Sequence, residues 1–459
     1  MAETLQITET VSEHFAGFLA NLKLVDIPAS ARAVAVRDLV DAAGLCLASR
    51  ETDYIAQILS ACDAGPCTAL GHAQGLDPAG AALVNGVAIH GEDFDDTLEG
   101  APIRVGAMVI PAVLAAAERF SLTGAQTLLG IAAGLETICR INHVAPGHSH
   151  KAGFHPVGII GPLGAAAGVS VALGLNKKQI AAAFGIAAST SAGIIEYLTN
   201  GAHTKRFHPG WAAQSGYRAA LIARSGFFAP RTVFEGGHNF FKAFAPTATP
   251  DYSHLTETLG ATWYFEKIVF KPYACGTMIH PYIDCARRLR RDGIDPDQIA
   301  DILCHTGEGL VHRLWEPLAD KHRPPSGYAA KFSMPFCMAL GMIEGDAGLA
   351  QFGDAKVRNP QLLKLAAKIR YEIDPANEYP HNYTGHMRVT LNSGEVLSYH
   401  QPHMRGGQYE PLSDAEIIAK FHSNAAYGGW DARKADELLQ FCQTLAERSD
   451  VSGLTAFRC

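Results

Sequence analysis

The densest group of reactive side chains is His90-Gly-Glu92-Asp93-Phe-Asp95-Asp96-Thr97-Leu-Glu99, which places five acids and hydroxyls in the seven residues from Asp93 to Glu99. Burying such a group is costly unless its members are paired or used. A solvated loop with Asp96 or Thr97 capping a helix fits the same residues, because both are good N-cap types. Three basic clusters follow. In Gly153-Phe-His155-Pro156 a histidine sits just before a helix start, where the positive end of the helix dipole disfavours imidazolium and suits a neutral base. In Gly201-Ala-His203-Thr-Lys205-Arg206-Phe-His208, four titratable or cationic side chains interrupt an Ala/Gly-rich region, and anion binding is a physical reason to keep them there. Lys271-Pro-Tyr-Ala-Cys-Gly-Thr-Met-Ile-His280 offers a lysine and a histidine at a point where the character of the chain changes. Each also fits an ordinary structural role, as a satisfied core histidine or a loop with a helix cap.

Absent motifs narrow the chemistry. The sequence contains no GxxxxGK[ST] loop, no GxGxxG after a strand, no HExxH, no CxxC pair and no GxSxG elbow. Asp93-x-Asp95-x-Thr97 has the spacing of haloacid-dehalogenase phosphatases, but that motif ends a buried apolar strand, and here Gly91 and Glu92 precede it. A magnesium–pyrophosphate motif of terpene-synthase type needs a second acidic cluster, which the sequence lacks. Acids, histidines and lysines remain. They point to proton transfer on an anionic substrate, with neither cofactor nor metal.

The elements that position these groups are mostly helices. Ala31–Leu47 is apolar at helical spacing, a helix is expected from Pro111 to Phe120 with the proline in its first turn, and Asn176 is placed to cap a helix through Phe184. Beyond about Tyr264 strands enter. Residues 301–306 and 368–373 read as strands, 386–391 and 395–399 as a hairpin about Asn392-Ser-Gly394, and 332–342 as a helix between them. Residues 414–448 are helical and amphipathic again. The expected organisation is mainly α: a large all-helical domain built from both chain ends (1–266 and 408–459), with a smaller α+β domain (267–407) inserted as a lid.

At 459 residues, 48% hydrophobic and 18% charged, the chain has ample material for a large core, which excludes a disordered or coiled-coil protein. The net charge of −7 argues against a nucleic-acid partner. Ten cysteines in largely apolar surroundings read as reduced thiols. Residues 1–17 are acidic and polar, unlike an export signal, so a cytoplasmic protein is expected. Residues 157–175 are uncharged but hold five glycines and Pro162, which suits a buried helix better than a membrane span.

The segments HGEDFDDTLEGAP (90–102), GFHPVGIIGPLGAAA (153–167), GAHTKRFHPGWAAQSG (201–216), KPYACGTMIHPYID (271–284) and KFSMPF (331–336) resemble, in order, the motifs of the MmgE/PrpD family. That family contains 2-methylcitrate dehydratases, cis-aconitate decarboxylases and an iminodisuccinate epimerase. The resemblance implies a homodimer with an active-site cleft between its helical and lid domains. The matching positions are Asp93, Thr97, His155, Lys205, Lys271 and His280. Two departures bear on the substrate. Arg104 stands where members usually carry a histidine, and Phe336 where the decarboxylase branch has a tyrosine, which argues against decarboxylation.

The implied substrate is a small di- or tricarboxylate, whose C–H bond resists ionisation because a neighbouring carboxylate is already negative. A site for it must gather positive charge where the carbanion develops. Lys205, Arg104 and Lys271 are expected to supply that charge, with Thr97 and His208 as further substrate contacts. His155 is expected to act as general base or acid, Asp93 to orient a partner, and His280 to protonate a leaving hydroxyl. The leading expectation is a cofactor-independent dehydratase of a citrate-like acid such as 2-methylcitrate. An epimerase of an aminodicarboxylate, a cis-aconitate-type decarboxylase and a metabolite-binding protein are the alternatives.

Overall fold

The computed structural model describes residues 9–101 and 103–459, so part of the N-terminal segment read above lies outside the described residues. The protein is mainly α-helical. Its chain divides into two units. The larger runs to Gly91, resumes over Asp95–Ile268 and closes with Ile417–Cys459; the smaller comprises Glu92–Phe94 and Val269–Glu416.

The larger unit holds α1 (Val11–Asn21), α2 (Ala29–Ser49), α3 (Pro78–His90), α4 (Gly106–Phe120), α5 (Gly124–Val144), α6 (Pro156–Ala172), α7 (Lys177–Ser189) and α8 (Thr204–Arg224). Its helix starts follow local chemistry: Thr10 with Glu13, and Asn176 with Gln179, close reciprocal capping boxes on α1 and α7. It is not purely helical, however. Ala64–Thr68 pairs antiparallel with Gly75–Leu76, a small hairpin that the helical patterning around it concealed.

The uncharged stretch after His155 is α6, buried from Val157 to Ala172. Glycines four apart lie on one helix face. Gly130 and Gly134 of α5 meet Gly168 and Gly164 of α6 in this way. A Cβ on Gly130 would lie 2.6 Å from the Gly168 carbonyl oxygen, and one on Gly134 2.9 Å from that of Gly164. The two helices therefore touch backbone to backbone. Among the described residues no helix is long and apolar enough to cross a membrane.

Helix α4 begins five residues before the proline expected to open it, leaving Pro111 inside the helix. The reason is a remote cap: the Asp96 carboxylate accepts the backbone N–H groups of Val105 (2.9 Å) and Gly106 (3.1 Å), satisfying donors that a helix start leaves open.

In the smaller unit, α9 (His280–Arg291) and α10 (Met334–Ile343) accompany a four-stranded sheet of β1 (Ile299–Thr306), β2 (Ile369–Ile373), β3 (Gly385–Leu391) and β4 (Val396–Gln401). The strand order is β2-β1-β3-β4, with β1 and β2 parallel and the other pairs antiparallel. The expected strands, hairpin and intervening helix are thus all present. Helices α11 (Asp414–Tyr427) and α12 (Ala432–Gln443) follow. Within the larger unit α11 is held to α2 by the buried Lys420, whose Nζ lies 2.8 Å from Asp41 Oδ1.

Candidate active site

In the larger unit, three histidines from distant segments converge. His90 is the last residue of α3, and its Nδ1 lies 2.8 Å from Asp95 Oδ2. The other Asp95 oxygen is 3.3 Å from Arg104 Nε. With its side chain only 15% exposed, Arg104 is an ion-pair partner rather than a solvated loop residue. His155 sits at the N-cap of α6, its N–H donating to the Gly193 carbonyl (2.9 Å), and its Nδ1 shares a 3.0 Å hydrogen bond with Nδ1 of His208 in the early turns of α8. The ring of His90 is centred 6.0 Å from that of His155, and Tyr197 packs against both His155 (5.4 Å) and His208 (5.9 Å).

A close helix crossing brings the end of α3, with His90, beside the turn of α8 that carries His208. A Cβ on Gly86 of α3 would stand 2.7 Å from Gly210 Cα of α8, so the backbones meet one turn before His90 and two residues after His208. A Cβ on Gly210 itself would lie 2.2 Å from the Leu83 carbonyl oxygen. Gly210→Ala is therefore expected to cost about 1–3 kcal/mol by overpacking. An unchanged urea midpoint would show that the crossing has slack.

The electrostatics favour neutral imidazoles. Burial pushes the His155 pKa well below its ordinary value, helped by the nearby charges of His90, His208, Lys205 and Arg104. Burial and His90 lower His208 to about 4. A hydrogen bond between two Nδ1 atoms needs one protonated and one bare nitrogen, which a neutral pair supplies. The acidic motif is not a solvated loop: Asp93, Asp95, Asp96 and Thr97 are all under 5% exposed. Burial, with Asp95 alongside, raises Asp96 to about 7. The Thr97 hydroxyl donates to the Ile103 carbonyl (3.3 Å) and closes the loop that carries Arg104. Lys205, the second residue of α8, is half-buried and its charge reaches His155. Its neighbour Arg206 has a structural task, donating from Nε to the Gly91 carbonyl (2.8 Å) beyond the end of α3.

The smaller unit carries the other expected positions. Lys271 is fully buried; its Nζ donates to the carbonyls of Asp93 (2.5 Å) and Cys275 (2.9 Å) and lies 3.6 Å from the Asp93 carboxylate. Lys331 does the same for the preceding residue, bonding the carbonyl (2.7 Å) and carboxylate (2.6 Å) of Glu92. Two lysines thus fasten a segment in which Asp93 has a left-handed φ of 54°, a conformation costly for a residue with a Cβ. His280 opens α9, fully buried, with its ring edge-on to Tyr273 (5.4 Å) and Nε2 3.4 Å from the Cys275 carbonyl. Phe336 is buried in α10.

Three members of the histidine cluster carry no assigned role in the sequence reading: His90, Asp95 and Tyr197. The first two stand in the acidic motif, five residues apart across a helix end, a spacing that lets a side chain fold back on the last turn. Tyr197 carries no comparable signal. His90 and Asp95 are metal-ligand types, yet their facing atoms are engaged with each other, and Asp95 also holds Arg104, whose charge a metal ion would be forced against. The arrangement suits proton abstraction from carbon beside carboxylates, with uncharged bases set among cations.

Comparison with known proteins agrees in both units. The N-terminal domain profile of the MmgE/PrpD family matches residues 13–253, and its C-terminal domain profile residues 273–444. The chain is similar to human cis-aconitate decarboxylase, 28% identical over 396 residues (83% of this chain and 79% of the relative). It is 26% identical over 470 residues to the cis-aconitate decarboxylase-like protein oryM of Aspergillus oryzae, covering 97% and 96% of the two chains. Against cis-aconitate decarboxylase of Aspergillus terreus it is 24% identical over 426 residues, 87% and 85% of the chains. With both domain profiles matched in order across most of its length, the chain belongs to the MmgE/PrpD family.

Proposed function

We propose that the protein is a cofactor-independent lyase that dehydrates a citrate-like polycarboxylate, with His155 as the base that removes the proton α to a carboxylate. The observation carrying this reading is the His155–His208 pair, joined at 3.0 Å and kept uncharged by burial. A neutral imidazole can take a proton from carbon; an imidazolium cannot. Lys205 and Arg104 are proposed to stabilise the charge that develops on the substrate. We assign Lys271 a positioning role on Asp93, since its donors reach two carbonyls and that carboxylate. His280 is proposed as the acid for the leaving hydroxyl. The smaller unit is proposed to act as a lid and the protein to work as a homodimer, as the family resemblance implies.

A second reading, decarboxylation of a cis-aconitate-like acid, is favoured by the names of the relatives. Proton NMR in deuterated water separates the two. Dehydration of a citrate-like substrate yields a new vinyl signal or tetrasubstituted alkene with all carboxyls retained. Decarboxylation loses one carboxyl, and epimerisation only exchanges the α-proton. Turnover is expected to survive exhaustive chelation; loss of activity that a divalent metal restores would overturn the metal-free mechanism.

The pH profile follows from the direction of the His155 shift. The base is active when deprotonated, and its pKa lies well below the ordinary 6.5. The acid limb of kcat/KM, which reports the free enzyme, is therefore expected below pH 6.5. An acid limb above that value would remove His155 as the base. Arg104 is expected to grip a carboxylate as well as Asp95. Arg104→Lys loses the planar fork, and a charge-assisted contact contributes about 1.5–3 kcal/mol, so KM should rise roughly tenfold or more. Unchanged KM in this variant and in Arg104→His would make Arg104 a bystander to binding.

A further inference from the structure

Outside the proposed active site, the sheet of the smaller unit carries an unexplained transverse row. His305 on β1 stands directly opposite His386 on β3, and His386 opposite His400 on β4; on the other side His305 pairs with Glu372 on β2. Residues opposite one another in a sheet project from the same face, with Cβ atoms about 4.5–5.5 Å apart in antiparallel pairs. The row therefore crosses all four strands on one face. It is the face turned from the core, since Met387 and Val389 alternate with His386 and are buried while His386 is half-buried and His400 exposed. The rings of His305 and His386 stack with centroids 4.3 Å apart, and His400 meets His386 edge-on at 5.8 Å.

We propose that this row is a binding site for a borderline divalent transition-metal ion such as Zn²⁺, with His305, His386 and His400 as imidazole ligands and Glu372 orienting the first of them. Three imidazoles with one open position form a common zinc donor set. Glu372 Oε1 lies 2.9 Å from His305 Nδ1, so a proton on Nδ1 is held by the carboxylate and Nε2 keeps its lone pair outward, the usual carboxylate–histidine–metal arrangement. The Nε2 of His386 lies 3.4 Å from the Ser398 hydroxyl, leaving Nδ1 as its ligating atom. The rings are stacked rather than convergent, so binding requires the pair to turn about their side-chain torsions until one nitrogen of each faces a shared ion.

The test is calorimetric titration of the purified full chain with Zn²⁺ at neutral pH, with Mg²⁺ as the hard-cation control. One equivalent of Zn²⁺ is expected to bind and Mg²⁺ is not. His386→Gln removes the central ligand and should abolish that equivalent. Glu372→Gln should weaken it about tenfold, the lower end for a lost orienting carboxylate. A His155→Ala chain should retain it. Circular dichroism melting separates loss of binding from loss of fold, and His305→Gln replaces His386→Gln if the latter unfolds. Wild-type Zn²⁺ affinity in a folded His386→Gln or His305→Gln chain, or loss of the equivalent in His155→Ala, overturns the assignment.

Discussion

His155→Ala is expected to reduce kcat by roughly a hundred- to ten-thousandfold, the range for loss of a positioned general base. At the start of α6 the imidazole joins His208, and alanine leaves no base there to receive the substrate proton. The same change leaves the half-buried His208 nitrogen short of its partner, which costs about 1 kcal/mol. In a protein of this size that is a shift in Tm of only a few degrees. His155→Asn gives a sharper comparison. Its amide can still bond His208 but cannot act as a base, so stability should recover while activity does not. Lys205→Ala should also abolish turnover, with a smaller effect on Tm because the side chain is half-buried. Activity above a tenth of wild type in any of these variants would take that residue out of the mechanism.

Arg140→Met is expected to cost about 3–5 kcal/mol, the typical penalty for removing one partner of a buried ion pair. Arg140 is fully buried on α5. Its Nε donates to Glu136 at 2.6 Å, and its two terminal nitrogens donate to the carbonyls of His254, Glu257, Thr258 and Thr262 at 2.7–3.2 Å. Methionine fills much of the volume but leaves four carbonyls and a carboxylate without their donor. Glu136, already raised to about 7 by burial against the pull of Arg140, then loses its counter-charge and rises further. Because both folded proteins keep the Glu136 proton up to about pH 7 while the unfolded chain releases it above about pH 4.5, the cost of the substitution should be level from 4.5 to about 7 and grow as pH rises above 7, where only the wild-type carboxyl ionises. Urea unfolding across that range measures both effects; a cost under 1 kcal/mol, or one independent of pH, would show that the 254–262 segment does not rely on Arg140.

The parts of this protein that sequence alone determined are those whose cause lies within a few residues. The Asn176–Gln179 capping box is a four-residue device, and the period-two pattern of 386–391 with its Gly394 turn is a local one. Glycines spaced by four in α5 and α6 mark a face that admits a close neighbour, though the neighbour's identity is not written in either helix. The ordered motifs around His90, His155, Lys205 and Lys271 were likewise visible and carried the family. What tertiary structure decided is which polar groups meet. Asp96 was legible as a cap type, but its targets are the N–H groups of Val105 and Gly106, nine and ten residues on, so α4 started earlier than Pro111 suggested. His155 and His208 are 53 residues apart and become one proton-sharing pair because α6 and α8 pack closely, a Cβ on Gly216 of α8 standing 2.5 Å from the Pro162 carbonyl oxygen of α6. Lys271, read as a charge for the substrate, is occupied by the backbone of Asp93, 178 residues away. A side chain's type states which bonds it can make; the partner that completes each bond is set by packing, because burial removes water as the alternative and leaves only what the fold brings within reach.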